Sequence, residues 1–448
     1  MVIIFAISVM VVDSTIVKYI AFSNKEYPPL VYVSIFVTLA IMFVGTVIVI
    51  LGFVRRKEAE SGLKRGLSVK ATYLIIAATQ LLLISLMLII IQPTLTLKNY
   101  NTLSLLAVVI ISHITALFFL IMLVLTLVDS IMAKRDKILS MYTISFSLMA
   151  ITIMISLIYS TYVLSNQLSS IRPLPIHYAL LNVPHSDLAI SLGPALDIIS
   201  ILSFISVWIA SAVMMNTYSR RIGKIRYWMV ISIPLIYFLF PFEKNVFNIF
   251  QSLAVSSPVL YGILDVTIFS ATKQIGALFF SLVFLAASTL VTKHEMQKYL
   301  LITAIGMAIL YGSIEIDTLQ YATYPPFGVV TASFIPMGAY LVFTGIIRSA
   351  RLVAQDSQLR REFYNSAMSQ LSLLKSIGVT QMEKELIKKY KSIDKRTSKL
   401  EEDSRFEKDD VKEALHGLVE ELDKEKAREM LHDVLTEIYA KSRPKAKS

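Results

Sequence analysis

Few ionisable side chains lie inside the long apolar segments of this 448-residue chain, and each of them is a candidate for chemistry. A charged group at the middle of a bilayer costs about 2.5–3.5 kcal/mol on insertion scales, so such residues are functional candidates by default. His113 lies near the middle of one apolar segment and could bind a ligand or carry a proton. The alternative interpretation is a neutral imidazole that hydrogen-bonds a neighbouring helix.

Four more charged residues lie towards the predicted outer ends of apolar segments: Asp13, Lys18, Glu315 and Asp317. Opposite charges at one membrane face can form interfacial ion pairs, and Lys18 with Glu315 is the first pair to test. An equally good interpretation is that each long side chain simply extends to water. Both interpretations predict polar contacts at the outer face.

The largest predicted outer loop, residues 165–194, contains three side chains of types that bind metals in proteins. These are His177, His185 and Asp187, and their spacing matches no recognised metal-binding pattern. The sequence therefore predicts no metal. The three residues remain a candidate site where a small ligand could be recognised at the outer face.

Enzyme signatures are missing from the sequence. It has no Walker loop, no Gly-x-Gly-x-x-Gly, no His-Glu-x-x-His and no Gly-x-Ser-x-Gly. It also has no cysteine, which excludes disulfides, thiol catalysis and cysteine-ligated metal sites. We therefore expect neither enzymatic activity nor a cofactor.

The elements that position these residues are apolar helices. Hydrophobic residues make up 55% of the chain, and charged residues only 17%, against about 25% in an ordinary soluble domain. A helix needs about 20 apolar residues to cross a bilayer. Nine segments meet or approach that length: 30–54, 71–91, 103–127, 139–164, 196–217, 227–249, 276–291, 299–317 and 327–347.

A tenth segment, residues 2–22, is apolar but is interrupted by Asp13 and Lys18. It lacks the basic start and the small-residue cleavage site of a secretory signal, so a retained helix is favoured. The predicted fold class is all-α: a polytopic helical membrane bundle of about ten transmembrane helices, or nine without the first, followed by a cytoplasmic helical tail.

The basic residues of the loops predict the orientation. If the basic loop 55–70 is cytoplasmic, strict alternation places most loop lysines and arginines inside, as the positive-inside rule requires. The C-terminus is then cytoplasmic, in a multi-pass protein of the plasma membrane. The predicted organisation is a bundle (1–347), an extension of the last helix (348–378), a soluble amphipathic tail (379–440) and a basic disordered end (441–448).

The tail carries apolar residues at helical spacing, which is typical of a helix face that packs on a partner. The candidate interaction face comprises Leu415, Leu418, Leu422, Met430, Val434 and Ile438. This face could bind a cytoplasmic protein or a second copy of the tail, or it could be the core of an intramolecular bundle. Nucleic-acid binding is not expected, because charges of both signs are interspersed.

Several stretches of the C-terminal region resemble a known group of sequences. They are Tyr324–Gly328 with the span that follows, Ser357–Arg361, Ser376–Gly378 with Gln381–Glu383, and Asp409–Lys412. Over about the last 130 residues, they are similar to uncharacterised polytopic membrane proteins of ammonia-oxidising archaea. The resemblance implies an archaeal plasma membrane, and it implies no activity, because that group has none assigned.

Two functions are compatible with this organisation. The first is a membrane sensor or scaffold that couples the helical bundle to a protein-interaction tail, and the unbroken helical pattern from Ile347 to Leu374 favours it. The second is a secondary transporter or channel for a neutral or weakly polar solute. The scarcity of charge inside the membrane argues against an ion-coupled mechanism.

Overall fold

The computed structural model describes part of the chain. The described residues are 5–13, 29–60, 67–97, 100–133, 137–167, 187–216, 223–240, 252–253, 256–257, 260, 264, 271–291, 293–314, 325–355 and 377. Within them the secondary structure is helical throughout, without a strand. This confirms the predicted all-α architecture.

Ten helices are named here in chain order. They are α1 (5–13), α2 (Pro29–Glu60), α3 (Leu67–Leu97), α4 (Thr102–Ala133), α5 (Lys137–Gln167), α6 (Asp187–Met215), α7 (Lys224–Leu239), α8 (Ala271–Leu290), α9 (His294–Ser313) and α10 (Val329–Gln355).

Among the described residues, six helices are long and apolar enough to cross a membrane. Their spanning portions are Leu30–Arg56, Lys70–Thr96, Thr102–Met132, Lys137–Ser165, Ser191–Met215 and Val329–Val353. The predicted count of ten spans is not confirmed. The segment predicted at 227–249 corresponds to α7, whose 16 residues extend only about 24 Å, and the apolar part of α8 is Gln274–Thr289.

Helix α10 lies at the centre of the bundle. Its spanning portion is 94% buried, whereas the other five spanning portions are 33–56% buried. It packs against α2, α3, α4 and α9. The aromatic pairs Phe36–Phe327 and Phe43–Phe334, with ring centroids 5.9 and 4.8 Å apart, join α2 to α10. The last predicted span is therefore the core helix.

Glycines bring α9 and α10 unusually close. A Cβ atom on Gly306 would lie 2.6 Å from the backbone nitrogen of Val342, and one on Gly338 would lie 2.6 Å from that of Leu310. Membrane helices associate by close packing at small residues, because lipid tails remove the hydrophobic driving force between them. The α9–α10 contact follows this rule.

The other helices are connected by contacts between neighbours. Each helix from α2 to α6 packs against the next one in the chain, and α8 packs against α9, α7 and α6. This arrangement brings polar side chains of α3 and α4 to the first half of α10.

Helix α10 continues beyond Ile347, where its span was predicted to end, as far as Gln355. Arg348, assigned from the sequence to the cytoplasmic extension, is only 3% exposed. Residues 356–376 and 378–448 lie outside the described residues. The rest of the extension, the soluble tail, its interaction face and the basic end therefore stay predictions.

Candidate functional site

Asp13 is the last described residue of α1, and its side chain is completely buried against the start of α10. Its Oδ1 accepts a hydrogen bond from the backbone N–H of Gly328 at 3.1 Å. Its Oδ2 accepts two more from Thr331, from the backbone N–H at 2.8 Å and from the hydroxyl at 2.7 Å. All three partners are donors, so the arrangement suits a carboxylate.

The position of Asp13 has a direct physical reason. The first N–H groups of a helix have no partner within the helix, and the helix dipole favours negative charge at this end. Gly328, the residue before α10, has a φ of 89°. This left-handed conformation is readily available to glycine and strained for other residues. Asp13 therefore caps α10 from a different helix, and Gly328 makes the geometry possible.

A second set of polar contacts surrounds Pro336, which lies inside α10. Proline has no N–H, so the carbonyl of Ala332, one turn earlier, loses its partner within the helix. The hydroxyl of Ser112 on α4 donates to this carbonyl. The amide Nε2 of Gln80 on α3 donates to the next carbonyl, that of Ser333, at 3.4 Å. A side chain of α4 thus pairs the carbonyl that the proline leaves free, as the membrane interior requires, and α3 adds a bond to the neighbouring carbonyl.

We call Asp13, Gln80, Ser112 and Thr331 the α10 polar cluster. Its members come from α1, α3, α4 and α10, and all four side chains are buried. The Oε1 atom of Gln80 has no hydrogen-bond partner among the described residues. The cluster therefore offers hydrogen bonds to a neutral polar group. The described part of the chain holds no grouping of three or more His, Asp or Glu side chains that could bind a metal.

His113 lies next to this cluster in sequence but uses both ring nitrogens elsewhere. Its Nδ1 is 2.9 Å from the carbonyl oxygen of Val109, and its Nε2 is 3.0 Å from the hydroxyl of Ser156 on α5. A carbonyl only accepts, so Nδ1 carries the proton, and in a neutral ring Nε2 accepts from Ser156. The hydrogen bond between His113 and Ser156 joins α4 to α5. It agrees with the alternative interpretation of His113, a neutral imidazole that hydrogen-bonds a neighbouring helix.

The other residues singled out from the sequence are not brought together in the described structure. Lys18, Glu315, Asp317, His177 and His185 lie outside the described residues. Asp187 begins α6, but its side chain is not described. The predicted ion pairs and the outer-loop ligand site therefore stay predictions. For Asp13, the described partners are the neutral groups of Gly328 and Thr331.

Sequence reasoning did not find Gln80, Ser112 or Arg348 as buried polar residues. For Ser112 a signal existed: a proline inside a predicted span frees a backbone carbonyl, and a polar side chain on a neighbouring helix is one of the groups that can pair it. Its partner helix could not be identified, because Ser112 and Ala332 are 220 residues apart in the chain.

Comparisons of the chain with known proteins found no matching protein family, no matching curated protein and no matching solved structure.

Proposed function

We propose that this protein is a membrane sensor or scaffold in which α10 couples the helical bundle to a cytoplasmic tail that binds a protein. The six apolar helices of membrane-spanning length among the described residues are consistent with a membrane protein. The coupling role is supported by one observation above all: the most buried helix of the bundle is also the helix that leads into the tail.

Helix α10 has the properties that transmission needs. Its N-terminus is bonded to α1 through Asp13, and its first two turns are bonded to α3 and α4 before Pro336. A displacement of any of these helices therefore acts on α10. Because a helix is internally hydrogen-bonded, rotation or translation at one end reaches the other end, and beyond it the tail.

The test rotates the tail about the axis of α10 relative to the bundle, by inserting residues between them. Two alanines inserted after Ala354 rotate everything that follows by about 200°, whereas seven inserted alanines restore the phase to within about 20°. The readout is the set of adducts formed in cells by a photo-crosslinking residue at Leu418 of the full chain. We expect the two-residue insertion to change the adducts and the seven-residue insertion to preserve them. Identical adducts in all three proteins would reject rigid coupling.

The location belongs to the same proposal. The basic residues of the predicted inner loops support a multi-pass protein of the plasma membrane with a cytoplasmic C-terminus. The resemblance noted in the sequence supports an archaeal membrane.

A second candidate is a transporter or channel for a neutral or weakly polar solute. It is favoured by uncharged polar groups on α3 and α4, where the hydroxyls of Thr79 and Thr115 are 3.4 Å apart and Oε1 of Gln80 has no hydrogen-bond partner among the described residues. Binding sites for neutral ligands place a few polar groups of this kind among apolar side chains.

Vesicles containing the purified protein test this candidate with glycerol and urea as probes. We expect faster uptake than in protein-free vesicles, with a decrease in Gln80→Leu or His113→Ala. Uptake equal to that of protein-free vesicles would reject transport of these solutes, and unchanged uptake in both variants would remove the two residues from the pathway.

A further inference from the structure

A small cavity lies among α5, α6, α7 and α9, away from the α10 polar cluster. Its volume is about 30 Å³, and its lining includes the hydroxyl-bearing residues Thr152, Ser200, Ser203 and Tyr311. Four hydroxyl-bearing residues therefore surround one small space inside the apolar bundle. They require a hydrogen-bonding explanation, because unpaired polar groups are costly away from water.

The Tyr311 hydroxyl carries the inference. The residue is only 8% exposed, and its oxygen has no hydrogen-bond partner among the described residues. Ser203 is a polar neighbour of this hydroxyl, but the two groups do not have the geometry of a hydrogen bond. Leaving a buried donor unpaired costs about 1–3 kcal/mol.

Thr152, another residue of the lining, supplies a complementary group. Its hydroxyl donates to the carbonyl of Leu148 at 2.9 Å, so its oxygen is left to accept. A molecule in the cavity can therefore accept a hydrogen bond from the Tyr311 hydroxyl and donate hydrogen bonds to the oxygens of other hydroxyls.

We propose that this cavity binds one water molecule that bridges Tyr311 of α9 to the hydroxyls of α5 and α6. A water needs roughly 10–15 Å³ of such space and two to four polar partners, and the cavity supplies both. Genuinely empty cavities are apolar, whereas buried waters occupy sites with polar partners such as this one. The water joins three helices, and its role does not depend on the function proposed above.

X-ray radiolytic footprinting of the full chain in lipid nanodiscs tests this site. Radiolysis of a bound water produces hydroxyl radicals that oxidise adjacent side chains even when bulk solvent does not reach them. Met149 lines the cavity and is 1% exposed, so it is the reporter. Met337 is 0% exposed and lies away from the cavity, so it is the internal control.

We expect Met149 to be oxidised several-fold faster than Met337 in the wild type. In Tyr311→Phe, which removes the principal donor, the rate at Met149 should fall towards that of Met337. Tyr299→Phe is the matched control, because Tyr299 is a buried tyrosine of the same helix that does not line the cavity. It should leave the rate at Met149 unchanged.

Equal rates at Met149 and Met337 in the wild type would overturn the proposal. So would an unchanged fast rate in Tyr311→Phe, which would mean that radicals come from bulk solvent. If Tyr311→Phe does not fold, Ser203→Val provides the same comparison by filling the cavity.

Discussion

Asp13 and Thr331 are 318 residues apart in the chain, yet a single carboxylate oxygen of Asp13 accepts hydrogen bonds from both the backbone N–H and the hydroxyl of Thr331. The other oxygen binds the N–H of Gly328. This contact attaches the first helix of the chain to the start of its central helix. It makes α1 part of the folded bundle.

Removing the Asp13 carboxylate should destabilise the protein. Hydrogen bonds to a charged group contribute roughly 1.5–3 kcal/mol, and Asp13→Ala leaves buried N–H groups unpaired. We expect the free energy of unfolding in detergent to fall by about 3 kcal/mol in Asp13→Ala and by less in Asp13→Asn, which keeps one accepting oxygen. Thr96→Ala is the control, because Thr96 is exposed near the end of α3 and its hydroxyl donates to the carbonyl of Gln92 in its own helix at 3.0 Å. If Asp13→Ala and the control have equal free energies of unfolding, the Asp13 carboxylate does not stabilise the N-terminus of α10.

Ser112 and Pro336 should be energetically coupled. Ser112→Ala leaves the Ala332 carbonyl without a partner, at a cost of about 1–3 kcal/mol. Pro336→Ala restores the backbone N–H that this carbonyl lacks. We therefore expect Ser112→Ala to cost much less stability in the Pro336→Ala background than alone, in a double-mutant cycle measured by unfolding. If the two stability changes simply add, the Ser112 hydroxyl does not replace the hydrogen bond that Pro336 removes.

A control for that cycle is available on the same helix. Ser130 is also buried, but its hydroxyl donates to the carbonyl of Thr126 in its own helix at 2.8 Å. Ser130→Ala should show no coupling to Pro336→Ala.

A methyl group at Gly338 should separate α9 from α10. It would approach the Leu310 backbone nitrogen to 2.6 Å, and overpacking of this kind costs about 1–3 kcal/mol. Gly45→Ala is the matched control, because a Cβ at Gly45 meets no atom within 4 Å. Thermal unfolding in detergent should show a lower midpoint for Gly338→Ala alone. Similar midpoints for both variants would mean that the helices are not in close contact.

The pair His113 and Ser156 should contribute modestly to the packing of α4 on α5. Side-chain hydrogen bonds between membrane helices average about 0.6 kcal/mol in double-mutant cycles. We expect His113→Leu and Ser156→Ala each to lower stability, with a coupling energy of about this size. A coupling energy of zero would show that the 3.0 Å contact contributes nothing.

The long helices were predictable from the sequence, but the contacts among them were not. Each of α2, α3, α4 and α5 contains an uninterrupted apolar stretch long enough to span a membrane, and length alone identifies such helices. The central position of α10 has only a weak signal: its spanning portion is the least apolar of the six, but this does not identify the helices that surround it. Its glycines become informative only when the neighbouring helix is known.

The polar residues illustrate the same limit. The unusual positions of Asp13 and His113 were evident, since ionisable groups are rare in apolar segments. Their partners were not, because Asp13 contacts backbone N–H groups, which every residue type except proline carries. Ser112 was overlooked because serine is common in membrane helices and usually bonds its own helix, as Ser130 does.

Single-cysteine labelling tests most directly whether α10 crosses the membrane and leads to a cytoplasmic tail. The natural chain has no cysteine, so one introduced cysteine is a clean reporter. With a membrane-impermeant maleimide, we expect Ala322→Cys to react in sealed cells and Ser357→Cys to react only after the membrane is opened. Labelling of Ser357→Cys in sealed cells, or equal labelling of both cysteines before opening, would contradict the proposed path of α10.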